Sequence, residues 1–105
     1  MTDILDPPDG RLLVELSGEL DMATVSWIEG AVDLALEGTA GTLVLDLAGV
    51  TFVDSQGLGA MLVARHVLAA EGIALHLRAP SRSVRRMLEI TGLDEMLPIE
   101  DELPQ

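Results

Sequence analysis

The chain has 105 residues, 49% of them hydrophobic, with 18 acids against six bases and a formal net charge of −12. That length suits one domain spanning residues 1–105, and that apolar content argues a packed core and against disorder. The absence of cysteine excludes disulfide frameworks and thiolate chemistry, and the acidity disfavours nucleic acid, whose phosphates most of the surface would repel.

The charge is uneven. Residues 1–64 sum to −10, residues 65–93 to +3, and residues 94–105 hold five acids and no base. Such a surface steers in a basic protein partner, and it also serves solubility alone; charge does not separate the two. All six bases are arginine, and the only aromatics are Trp27 and Phe52, so the core falls to Leu, Val, Ile, Ala and Met. No run reaches the ~18 apolar residues of a membrane-spanning helix. Met1-Thr2-Asp3 carries no base, so no secretory signal is expected and the cytoplasm is the expected compartment, with no membrane partner.

In chain order, Ile4 and Leu5 suit a short first strand, and Pro7-Pro8-Asp9-Gly10 is a strong turn. Leu12, Val14 and Leu16 alternate with Leu13, Glu15 and Ser17, which is a strand pattern. Asp21 is placed to cap a helix over residues 22–36, with Ile28, Ala31, Val32 and Ala35 as its inward stripe. Residues 37–41 close that helix. Residues 42–47 form a nearly continuous apolar run, as expected of a central strand, and residues 50–53 prolong it. A second helix follows Ser55 and ends at Gly72. Ile73, Leu75 and Leu77 alternate in another strand. Pro80-Ser81 opens a third helix, capped by Ser81 or Ser83, with Val84, Met87 and Leu88 facing inward and Gly92 as C-cap. Residues 97–99 suit a last edge strand, and residues 100–105 are expected to fray. An opening hairpin and then alternating strands and helices argue an α/β domain with a mainly parallel sheet and right-handed crossovers.

The most informative stretch is Val53-Asp54-Ser55-Gln56-Gly57-Leu58-Gly59, where apolar strand gives way to apolar helix. A serine there is placed to cap the helix, accepting from a backbone N–H two or three residues on. Gly57 and Gly59 leave the surface beside it low, open to close approach by another protein or a nucleotide phosphate. On the local pattern alone a plain strand–loop–helix joint outweighs a functional site.

Asp54-Ser55-x-Gly57-Leu58-Gly59 resembles the signature of the STAS domain of bacterial anti-sigma-factor antagonists. Leu16-Ser17-Gly18-Glu19-Leu20-Asp21 is similar to the family's second strand and the start of its first helix. Residues 84–93, Val-Arg-Arg-Met-Leu-Glu-Ile-Thr-Gly-Leu, are similar to its last long helix and following turn. The three blocks stand in the family's order and span residues 16–97. The resemblance implies a mixed sheet of four or five strands with helices packed chiefly along one face. It implies a non-enzyme whose unphosphorylated form binds an anti-sigma factor that is also a serine kinase, freeing a sigma factor in stress response or sporulation. It implies phosphorylation of Ser55 by that kinase, release of the antagonist, and reversal by a phosphoserine phosphatase. The partner-binding set it implies is Asp21, Thr24, Asp54, Ser55, Gln56, Gly57, Gly59 and Ala60. Gln56 departs from the family, where a second serine is common.

Read from the residues alone, enzymatic chemistry finds little support. Ser55 has no histidine near it in sequence, and valine at position 53 removes the nucleophile-elbow pattern. His66 and His76 lie on different elements; Asp46 and Asp54 offer a carboxylate pair only if the fold joins them. No Cys or His cluster suits a metal, and no lysine or dinucleotide glycine spacing suits a nucleotide, so no cofactor is expected. The second helix is apolar nearly all round, which leaves it either wholly buried or partly a contact surface. Arg82, Arg85, Arg86 and Glu89 on the third helix read first as a solvated polar face, with Arg82 or Arg86 as the alternative match for an acidic partner surface. A STAS scaffold subunit of a larger signalling assembly is the second binding reading. A small serine hydrolase using Ser55 is the reading from another class.

Overall fold

The computed structural model describes residues 10–100 and the backbone of residues 3–5. The turn expected at Pro7-Pro8-Asp9 and the fraying expected of residues 101–105 fall outside the described residues, whereas Glu100, expected to fray with them, is paired with Arg78 in a strand. Five strands form one sheet in the order β1 (Asp3–Leu5), β2 (Arg11–Leu20), β3 (Thr42–Val53), β4 (Ala74–Arg78) and β5 (Ile99–Glu100). β1 pairs antiparallel with β2, and every later pairing is parallel. Three helices connect the parallel strands: α1 (Val25–Glu37), α2 (Ser55–Ala70) and α3 (Arg82–Thr91), the last followed by a 3₁₀ turn at Leu93–Glu95.

The strand order explains the layering. Each crossover steps one strand in the same direction, and right-handed crossovers that always step the same way lay their helices on one face. The core agrees. Leu12, Val14, Leu16, Leu43, Leu45, Leu47, Leu75 and Leu77 from the sheet form one buried cluster with Ile28, Ala31, Val32 and Ala35 of α1, Leu58, Met61, Ala64 and Leu68 of α2, and Val84 and Leu88 of α3. The inward stripe read for α1 is thus the buried one. Ser81 caps α3, accepting from the Val84 N–H at 3.3 Å, and Gly92 ends it with a left-handed φ of 78°. β3 runs on to Val53, with register shifts against β2 after Glu15 and after Gly18.

The helix at 22–36 is corrected at its start. Asp21 does not cap it. The Asp21 carboxylate accepts the Ala23 N–H at 3.0 Å and the Asp21 carbonyl accepts the Thr24 N–H at 3.0 Å, so residues 21–24 make a separate turn and α1 begins at Val25.

The opposite face of the sheet carries an ionic chain. In register, Leu13, Val44 and His76 form one row, and Glu15, Asp46, Arg78 and Glu100 the next. Glu100 pairs with Arg11, and its carboxylate accepts a hydrogen bond from His76 Nδ1 at 2.6 Å, tying β5 back toward β2. Partial burial pushes the Glu100 carboxyl up, but the hydrogen bonds and charges of His76 and Arg11 outweigh that and hold it below the usual glutamate value. A depressed carboxylate adds stability above its unfolded pKa and loses it as pH falls through the folded one. Glu100→Gln should therefore cost up to ~1 kcal/mol at pH 7, and the difference from wild type should shrink once pH falls below the ordinary glutamate value and vanish below the lowered folded one. Denaturant melts of both proteins at pH 7 and pH 3 check this.

Candidate functional site at the start of the second helix

The site forms where β2 and β3 end side by side. Leu20 and Val53 are register partners, and the Asp54 N–H donates to the Leu20 carbonyl at 3.0 Å. Asp21 and Asp54 therefore leave the sheet as neighbours, and α1 and α2 start from the same edge. The carboxyl ends of parallel strands are the usual place for ligand and partner sites in α/β sheets.

The structure reassigns the cap. Asp54 is the N-cap of α2: its Oδ1 accepts the N–H groups of Gln56 at 2.9 Å and Gly57 at 3.0 Å. Ser55 is the first helical residue, and the reading of Ser55 as the cap is wrong. The reason is local. Asp and Ser are both good caps and stand adjacent, and the residue that keeps the extended backbone is Asp54, with φ −100° and ψ −173°. Ser55 is freed by this. It is exposed, and its hydroxyl has no hydrogen-bond partner among the described residues. Asp54→Ala should cost about 1 kcal/mol of stability, Asp54→Asn much less, and Ser55→Ala no more than ~0.5 kcal/mol. Thermal melts of the three variants separate the cap from the exposed hydroxyl.

Gly57 is also corrected. It is buried, and a Cβ built on it would lie 2.7 Å from the Leu20 carbonyl oxygen and 3.1 Å from both Leu20 Cβ and Val53 Cγ1. Its bareness lets α2 seat against the strand ends; it does not lower the surface for a partner. Gly59 does fit that description, being exposed with no atom within 4 Å of a built Cβ. Ser55, Gln56, Gly59 and Ala60 line one end of a groove between α1 and α2.

Asp21 and Thr24 lie half-buried in the turn before α1. The Thr24 hydroxyl donates to the Glu19 carbonyl at 2.7 Å and accepts the Asp21 N–H at 3.0 Å, so it is held inward, and α1 has no side-chain cap. Glu19, Asp21 and Asp54 make the surroundings acidic. Sequence reading missed two exposed apolar residues here, Met22 at 71% and Phe52 at 51%. Met22 lies in the turn before α1 and not in the helix expected over residues 22–36. Phe52 was open to notice as one of two aromatics in the chain.

Other chemistry is dispersed. Asp46 lies on the far side of the sheet, accepting the Ala48 N–H at 2.9 Å with Arg78 Nε 4.0 Å away, so it forms no pair with Asp54. His76 is engaged with Glu100 on that same face, whereas His66 is exposed on α2, outside the groove that Ser55 borders. No group of three or more His, Asp or Glu among the described residues is arranged to hold a metal ion.

The sequence matches the family model of the STAS domain over residues 4–105. The chain belongs to the STAS domain family. It is 33% identical to the anti-sigma F factor antagonist of Paenibacillus polymyxa over 93 residues, 88% of this chain and 80% of that one. The crystal structure of an anti-sigma factor antagonist from Mycobacterium paratuberculosis superposes with a TM-score of 0.83 at 32% identity, covering 98% of this chain and 86% of that one. The anti-sigma factor antagonist SpoIIAA in its unphosphorylated form gives a TM-score of 0.79 at 25% identity, over 98% and 89% of the two chains. The STAS fold expected from the three sequence blocks is therefore the fold of this protein, with a mixed sheet of five strands. No described helix is long and apolar enough to cross a membrane.

Proposed function

We propose that this STAS protein is an anti-sigma-factor antagonist, a regulatory binding protein and not an enzyme, that docks through the surface around Ser55. In this reading the unphosphorylated form binds an anti-sigma factor with serine kinase activity in the cytoplasm and frees a sigma factor. The kinase transfers phosphate to Ser55, the complex separates, and a phosphoserine phosphatase resets the protein. Asp21, Thr24, Asp54, Gln56, Gly59 and Ala60 surround the modified hydroxyl at the interface, and Gly57 holds α2 in place beneath it.

One observation carries the reading. Ser55 offers an exposed hydroxyl that no internal hydrogen bond restrains, in the first turn of α2, in a chain whose relatives are anti-sigma-factor antagonists. A kinase needs such a hydroxyl, presented on a rigid element and free to enter its site. The carboxylate that caps α2 makes the switch electrostatic. Asp54 already occupies the Gln56 and Gly57 N–H groups, the donors a phosphate at Ser55 would otherwise seek. The added charge stands beside Asp54 in solvent, without a matched cation.

Incubation with native cell extract and ATP, followed by mass spectrometry, tests the assignment. Phosphate is expected on Ser55 and absent from Ser55→Ala. Phosphate on Ser17, Ser81 or Ser83 in place of Ser55 would overturn it.

A further inference from the structure

The groove between α1 and α2 extends well beyond Ser55. It is lined on α1 from Val25 to Leu36 and on α2 from Ser55 to Val67 and encloses about 680 Å³. At ~1.5 Å per residue these walls run for about 16–18 Å, or three helical turns. Its surface is apolar, and Leu36, Val63 and Val67 in it are each more than a third exposed, Val63 at 62%. A groove this long suits a chain segment better than a compact small molecule.

Charge identifies the segment. Glu29 and Asp33, one turn apart, line the α1 side, and no cation lines either wall. α1 contains no basic residue at all. The bases of α2 are turned elsewhere: Arg65 donates to the Met96 carbonyl, and His66 is outside the groove. Neither Glu29 nor Asp33 has an ion-pair partner among the described residues. An apolar trough with uncompensated acids along one side is complementary to an amphipathic helix whose apolar stripe is flanked by Arg or Lys. The chain's own basic helix does not qualify, because Val84 and Leu88 of α3 are already buried in the core.

We infer that this groove is a docking site for a basic amphipathic helix of a partner protein, continuous at its Ser55 end with the switch surface but read by a different charge rule. The two differ in how they answer to charge. Phosphate on Ser55 weakens docking where it must leave water beside Asp54 without a matched cation, yet it adds negative charge at one end of a groove that attracts cations. The groove should thus hold its occupant in both states, and more tightly in the phosphorylated one.

The probe is a 14-residue helical peptide with Leu and Ala on one face and Arg on its flanks, titrated into the whole protein and followed by amide NMR shifts. The control has the same apolar face with Glu flanks. Saturable shifts are expected along α1 and α2, centred on Glu29, Gly59 and Val63, with affinity falling as salt rises. Glu29→Gln with Asp33→Asn, and separately Val63→Glu, should each weaken binding at least tenfold; all three positions are exposed, and unchanged melting curves verify the fold. Ser55→Asp should bind the peptide as tightly as wild type or tighter. Failure to saturate at millimolar peptide, equal binding of the Glu-flanked control, shifts outside the groove, or loss of binding in Ser55→Asp would each overturn the inference. So would concentration-dependent groove shifts in the protein alone, which would make a second copy the occupant.

Discussion

Gly57→Val is expected to destabilise the protein by about 2–3 kcal/mol and to lower its melting temperature by roughly 10–20 °C. The first atom of any side chain at this position meets the Leu20 carbonyl oxygen at 2.7 Å, closer than carbon and oxygen are found to pack. That oxygen is not free to retreat, because it accepts the Asp54 N–H and fixes the step from β3 into α2. Leu20 and Val53 flank the position and are both fully buried, so α2 itself must lift from the strand ends. Gly57→Ala adds only the Cβ and recovers up to ~1 kcal/mol of helix propensity, so it should cost clearly less. Thermal melts of the two variants give the ranking. A normal melting temperature for Gly57→Val, with partner binding lost, would return Gly57 to the docking surface and contradict its burial.

This residue marks where sequence reading stopped. Periodicity reports which face of an element is buried, and it placed Ile28, Ala31, Val32 and Ala35 of α1 correctly because a 3.6-residue stripe is a property of one segment. The alternation in β2 and the caps of α3 were legible for the same reason. What a glycine is bare for depends on another segment. Gly57 and Gly59 look alike in sequence, yet the first faces the end of β2 and the second faces solvent. The choice of cap between Asp54 and Ser55 likewise turns on which residue the sheet holds extended, through a bond from Asp54 to Leu20 that lies 34 positions away. The apolar character of α2 was plain, and its division was not: Met61, Ala64 and Leu68 are buried, while Val63 and Val67 face the groove. The ionic chain on the open face joins Arg11 to Glu100 across nearly the whole sequence, and no local pattern announces it.

Phosphorylation of Ser55 is expected to leave the melting temperature of the free protein almost unchanged while reducing affinity for the anti-sigma factor by roughly a hundredfold or more. Two terms act within the free domain. Negative charge in the first turn of α2 gains about 0.3–1 kcal/mol from the helix dipole. Repulsion from the Asp54 carboxylate, which stays on its two N–H groups, offsets much of that gain in water. Because Ser55 is exposed and is not the cap, no packing or capping bond is lost on modification. At an interface the balance changes. About two negative charges must leave water next to Asp54, Asp21 and Glu19, and the phosphate finds the Gln56 and Gly57 donors already occupied. Like charges brought together under desolvation cost several kcal/mol, which is the hundredfold loss. Ser55→Asp carries half the charge and should move affinity in the same direction by less. Calorimetry of the free protein against titration with the anti-sigma factor separates the two quantities. A phosphorylated protein that binds the anti-sigma factor as tightly as the unmodified one would remove the switch from Ser55, whatever its melting temperature.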